Sequence, residues 1–246
     1  MKRSLWLLFM ISALSLTAWT QAKPATTTPP HRAGTPAAPP ADTPDPIAIL
    51  DTTAGKMTCT LFPKKAPIGV DNFIGLSMGT KQWTDPATQA KKKGVPLYDG
   101  TIFHRVIPEF MIQGGDPTGT GRGDPGYTFK NETSPDLLFD RPGRLAYANR
   151  GPDTNGSQFF ITEAPYPSLN GGYTIFGQCD DAAVELVKQI ARMPRGAADR
   201  PVQPVKINHI TIVKAGSPTP AKSSKPSAPK KPGTTKSATK PPAPAS

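Results

Sequence analysis

Sulfur and imidazole are scarce in this chain. Its 246 residues hold two cysteines and three histidines. His31, His104 and His209 lie far apart, and no Cys/His spacing around them suggests zinc. Ser157 sits in "NGSQ" (155–158), a chance match to a glycosylation pattern, and lacks the G-x-S-x-G setting of a hydrolase nucleophile. The glycine-rich "GTGRGDPG" (119–126) lacks the Lys-Ser/Thr of a phosphate loop, and the "YTFKNE" that follows has no helical period, so it reads as an ordinary turn. Neither a metal nor a cofactor is expected.

Long apolar runs are missing too, with one exception. Leu5 to Ala18 is apolar over about 14 residues, short against the ~20 that span a bilayer. Lys2 and Arg3 precede it, and Thr20 and Ala22 suit a cleavage site, so residues 1–22 read as a secretory signal peptide. The product is then periplasmic or secreted. Such a compartment is oxidising and lets Cys59 and Cys179 pair. Spacing alone leaves the pairing open, and two separate buried thiols is the plainer reading.

What the chain has in excess is proline, 31 residues in all, gathered at the ends. Residues 23–46 read as a Pro/Ala/Thr-rich disordered linker and 215–246 as a Lys/Pro/Ala-rich disordered tail. Six lysines and no acid in that tail carry more than half of the net charge of +11. The tail could touch anionic envelope surfaces without reading any sequence. Neither end contains an aromatic residue, so stacking platforms for bases are absent and no specific nucleic-acid partner is expected.

The intervening 47–214 reads as one domain. "IAIL" (47–50), "GKMTCTLF" (55–62), "TIFHRVI" (101–107), "FMIQ" (110–113), "RLAYAN" (144–149), "SQFFIT" (157–162), "YTIFGQ" (173–178) and "VKINHITIV" (205–213) read as eight strands. "APIGVDNFIGLSMG" (66–79) places Val70, Phe73, Ile74 and Ser77 on one side of a helix, with Pro67 at its start and Gly79 at its end. "DDAAVELVKQIA" (180–191) is a second helix, with Asp180 available as its cap. The lysine-bearing "TKQWTDPATQAKKKGVP" (80–96) reads as a solvated loop. Two helices among eight short strands do not make parallel βαβ units. A mainly β fold is expected, a closed eight-stranded antiparallel barrel capped by the two helices, because closure removes exposed edges. A monomer is the default expectation.

Three blocks carry more specific information: "FHRVIPEFMIQGGD" (103–116), "YANRGPDTNGSQFFIT" (147–162) and "LNGGYTIFGQ" (169–178). In this order and spacing they resemble the cyclophilin family of peptidyl-prolyl cis-trans isomerases, and the likeness runs through 47–214, most closely to exported bacterial types. The resemblance implies catalytic roles for Arg105 and Gln113, the first donating to the proline nitrogen of a twisted amide, the second bonding the peptide and helping to hold the arginine. It implies a prolyl pocket lined by Phe110, Met111, Phe160, Leu169 and Tyr173, and an edge at Ala148 and Asn149 that pairs with the peptide backbone. Thr154, Asn155, Gly156 and Gln158 match a neighbouring pocket for the residue two before proline. Partners would be proline-containing polypeptides, with catalysis or, alternatively, only chaperone or adhesin binding on the same fold.

Outside that resemblance, Arg105 would read as a surface charge and His104 as structural. Phe110 and Met111 are consecutive, so strand alternation would put one of them in the core unless a bulge intervenes. Ser168 stands where many eukaryotic members have a tryptophan that contacts cyclosporin, so weak cyclosporin binding is expected. Tyr173 stands where many have histidine, which alters one wall of the pocket.

Overall fold

The structure is a computed structural model that describes residues 44–213. The signal peptide, nearly all of the linker and the basic tail lie outside the described residues. Strands β1 (Ile47–Thr52) and β2 (Gly55–Leu61) form an opening hairpin, and helix α1 (Pro67–Met78) follows. Pro67 occupies the first turn of α1, where no intrahelical N–H is needed, and Gly79 ends it at φ 71°. Its first turn is also capped from afar, since the Ile68 and Gly69 N–H groups donate to Glu132.

The stretch 80–96 is more than a solvated loop. It contains a short hairpin, β3 (Trp83–Thr84) and β4 (Lys91–Lys92), with Trp83 buried and its indole N–H donating to the Val95 carbonyl at 2.9 Å. Strands β5 (Arg105–Ile107), β6 (Met111–Gly114), β7 (Arg144–Tyr147), β8 (Phe159–Thr162) and β9 (Ile175–Cys179) precede helix α2 (Asp181–Ala191), and β10 (Ile207–Val213) ends the fold. Asp180 caps α2, accepting from the Ala183 N–H at 2.8 Å.

Eight strands form one sheet in the order β10-β1-β2-β9-β7-β8-β6-β5, and its paired neighbours are antiparallel. The expected closed barrel is corrected here: the sheet is an open, strongly curled half-barrel. Its end strands β10 and β5 share no ladder. Only Arg105–Ile107 of "TIFHRVI" joins the sheet; Ile102 makes single bridges to Asp116 and Lys206 instead. Two bonds flank the second bridge, Phe103 N–H to Val205 and Ile207 N–H to Thr101. One bridge lacks the run of consecutive pairs that makes a strand partner. Register shifts at Asp51/Thr52 and Leu145/Ala146 bend the sheet where bulges would.

Both helices pack on an interior core that includes Val70, Phe73 and Leu76 of α1 and Ala183, Val187 and Ile190 of α2. A second apolar cluster, around Met111, Phe139, Ala146, Phe160 and Ile175, is separate from it. The two cysteines are not separate thiols. Cys59 on β2 faces Cys179 on β9 across the ladder, and they form a disulfide over 120 residues of sequence. Their proximity comes from the β2–β9 pairing, which sequence spacing does not reveal.

His104 is buried, and neither ring nitrogen has a hydrogen-bond partner. Burial lowers its pKa from 6.5, although the neighbouring Asp116 charge opposes the shift. The sign follows directly: as pH drops the unfolded chain takes the proton first, so stability falls from about 6.5 down to the lower folded-state value and levels off beneath it. Urea melts should therefore give a smaller unfolding free energy at pH 5 than at pH 7. His104→Gln should flatten that difference.

Candidate active site: a two-part groove

Arg105 and Gln113 are direct cross-strand partners in the β5–β6 hairpin, so their side chains share one face. The hairpin turn presents Phe110. Glu109, at its tip, has φ 62°, and its N–H donates to the buried Glu163 carboxylate at 2.9 Å. Glu163 returns its own N–H to the Phe110 carbonyl and pairs with Arg192 just beyond α2. The turn is thus anchored to the end of a helix. Because Phe110 precedes β6, strand alternation does not apply to it, and the expected split between Phe110 and Met111 is corrected: both line the same recess.

That recess has a volume of about 130 Å³ and is bordered by Arg105, Phe110, Met111, Gln113, Ala148, Asn149, Phe160, Leu169 and Tyr173. Phe160 and Tyr173 meet edge to face at 5.5 Å, and Phe139 stacks on Phe160 from behind at 5.8 Å. Phe159, the next residue along the strand, belongs to the interior core. Leu169 ends a short 3-10 turn, Pro167–Leu169, on which Ser168 is exposed.

A second recess of about 230 Å³ shares Gln113, Ala148 and Asn149 with the first and adds Thr154, Gly156 and Gln158. The two recesses adjoin at those three residues and together make up the trough. Gln113 does not hydrogen-bond Arg105. Its amide donates to Gln158 Oε1 at 3.0 Å, and Gln158 donates in turn to the Gly121 and Gly123 carbonyls. The Asn149 side chain donates to Gly172 and accepts from the Gly151 N–H, and its backbone N–H and C=O have no backbone partner among the described residues. Asn155 is corrected as a pocket residue. It borders neither recess, is fully buried, and its amide nitrogen donates to the Phe129 carbonyl and Asn131.

The floor of the trough is held from below. Asn72 of α1 donates to the Gly156 carbonyl and Tyr98 donates to the Ser157 carbonyl. The wall is the segment 119–126, corrected here from an ordinary turn. Buried Asp116 gathers the Thr118 hydroxyl and the N–H groups of Thr118, Gly121 and Gly123. Burial alone would raise its pKa, but those hydrogen bonds outweigh it and hold the carboxyl below its usual range. A Cβ on Gly123 would lie 2.1 Å from Asp116 Oδ1. Gly123→Ala should therefore break this hub, lowering stability by about 2 kcal/mol or more. Steady-state kinetics should show KM rising more than kcat falls.

Residues that spacing did not single out include Phe139, Glu163, Asn72 and Asp116. The last had a signal available, an Asp followed by Thr and alternating glycines, the composition of a side-chain-closed loop.

A curled antiparallel sheet carrying a polar-rimmed, peptide-sized trough beside an arginine defines the class. The comparisons specify it. The family model for cyclophilin type peptidyl-prolyl cis-trans isomerases matches residues 47–212. Peptidyl-prolyl cis-trans isomerase A of Mycobacterium tuberculosis is 51% identical over 166 residues, covering 67% of this chain and 91% of that protein. Peptidyl-prolyl cis-trans isomerase B of Streptomyces anulatus is 47% identical over 167 residues, covering 67% and 95%. Among solved structures, a Cryptosporidium parvum cyclophilin type isomerase crystallised in the presence of the dipeptide Ala-Pro superposes with a TM-score of 0.59 at 36% identity, covering 68% of this chain and 98% of that one. The chain belongs to the cyclophilin-type peptidyl-prolyl cis-trans isomerase family, and its activity is that of the family.

Proposed function

We propose that this isomerase turns X-Pro bonds in exported polypeptides as they fold, and that Arg105 supplies the catalytic contact. The carrying observation is the placement of Arg105 and Gln113 opposite one another at the border of the apolar recess. An X-Pro bond resists rotation because the nitrogen lone pair is delocalised into the carbonyl, a barrier of about 20 kcal/mol. In the twisted form the nitrogen becomes pyramidal and can accept a hydrogen bond. A guanidinium, always charged and forked, binds that form better than either planar isomer. No covalent step is required.

The recess has a complementary task. Seating the prolyl ring against Phe110, Met111, Phe160, Leu169 and Tyr173 holds one side of the bond while the preceding carbonyl swings. The unpartnered Asn149 backbone suits an extended peptide laid along the trough, with the residue two before proline in the second recess. The Cys59–Cys179 bond supports an oxidising destination, which agrees with the signal-like start of the chain. Uncatalysed turnover takes tens to hundreds of seconds, so folding exported chains would gain from a catalyst.

The test is exchange spectroscopy by NMR on a short Ala-Pro peptide with the purified chain, alongside fractionation of cells expressing it. Accelerated exchange and recovery outside the cytoplasm are expected. Peptide binding without acceleration would favour the purely chaperone-like alternative, and retention in the cytoplasm would remove the export reading.

A further inference from the structure

Arg105 has one charged partner among the described residues, and it lies outside the trough lining. Asp199 Oδ2 stands 3.8 Å from Arg105 Nε, and Asp199 Oδ1 stands 3.6 Å from Arg195 Nε. One carboxylate thus faces two guanidinium groups. Arg195 also donates to the Val106 carbonyl on the same short strand as Arg105, and Arg200 donates to the Gly119 carbonyl in the trough wall. The 195–201 segment is therefore fastened at both ends to the elements that make the groove.

The backbone there is strained. Arg195 and Pro201 form a bridge, and Gly196 N–H donates to the Arg200 carbonyl, so the segment is a tight hairpin. Its two central residues, Ala198 and Asp199, have φ of 57° and 55°. Consecutive left-handed residues are the signature of the hairpin turn that normally takes Asn-Gly; aspartate tolerates that backbone better than alanine, yet glycine is the preferred residue at its position. A half-exposed ion pair returns little stability in exchange. Stability alone would favour glycine at position 199.

We propose that Asp199 is a positioning residue for the isomerase reaction, its carboxylate engaging Arg105 at Nε and so orienting the guanidinium over the prolyl recess. The Arg105 guanidinium also lies 6.0 Å from the centre of the Phe110 ring. With Nε facing the carboxylate, the two Nη groups remain for the amide nitrogen. Removing the carboxylate would cost alignment, felt in the twisted state and hardly at all in peptide binding. The inference rests on the catalytic reading of Arg105.

The decisive variant is Asp199→Gly, which relieves the backbone as it deletes the carboxylate. Its Tm should equal or exceed that of the wild type, while kcat falls about fivefold and KM stays within twofold. Asp199→Asn, equal in size but uncharged, should lose the same activity. In an Arg105→Ala background, Asp199→Gly should change nothing further. A fully active Asp199→Gly enzyme beside an inactive Arg105→Ala one would overturn the positioning role alone. Full activity in Arg105→Ala would overturn the arginine reading and this inference with it.

Discussion

Arg105→Ala is expected to lower kcat/KM for an X-Pro peptide about 100-fold or more, with the Kd for the peptide changing less than about threefold. The apolar recess, the Asn149 backbone and the Gln113–Gln158 pair all remain in that variant, and in the proposed reading these hold the ground-state peptide. Under the proposed mechanism, what disappears is the donor for the pyramidal nitrogen, an interaction made only at mid-rotation. Arg105→Lys should recover little, because an ammonium is a compact charge without the planar fork that can serve Asp199 and the substrate together. A fall in affinity matching the fall in turnover would instead make Arg105 a binding residue.

The second large effect concerns the disulfide. Cys59→Ala/Cys179→Ala, or reduction of the wild type, should cost about 3–5 kcal/mol and lower Tm by about 6–20 °C. The β2–β9 ladder is short, with three residue pairs, yet it joins the β10-β1-β2 side of the sheet to the strands that carry the groove. A cross-link spanning 120 residues there removes much of the freedom of the unfolded chain. Neither cysteine lines the trough, so kcat measured well below the melting range should be unchanged. Calorimetry of the wild type against the double alanine variant decides it; coincident melts would mean that the cross-link adds nothing to stability.

The local parts of the fold were legible because their causes are local. Pro67 and Gly79 punctuate α1, Asp180 caps α2, alternating apolar residues mark β2, and short β-branched apolar stretches mark β1 and β10. Sheet closure was not legible. "TIFHRVI" has the pattern of one long strand, but the burial that pattern records comes partly from packing against 205–207, outside any ladder. Trp83 misled in the other direction, a single buried aromatic hidden among lysines.

The groove residues were reached through the resemblance of three blocks, since Arg105 by itself looks like any surface arginine. Its supports escaped altogether. Glu163 meets Glu109 across 54 positions, and Asp199 meets Arg105 across a still longer interval, and such pairs leave no period in a sequence. Asn155 shows the converse: a polar residue inside a matched block can be consumed by the scaffold.

The chain enters the sheet at Ile47 and leaves it at Val213, and these two residues are cross-strand neighbours at one corner. A pull on both ends would load the β1–β10 ladder as a zipper, one rung at a time from that corner toward the irregularity at Asp51/Thr52. Strands β5 and β6 stand at the far margin of the same sheet and would carry none of that load at first. Fraying would then begin at Ile47 and Val213 while the hairpin that carries Arg105 and Gln113 stayed paired.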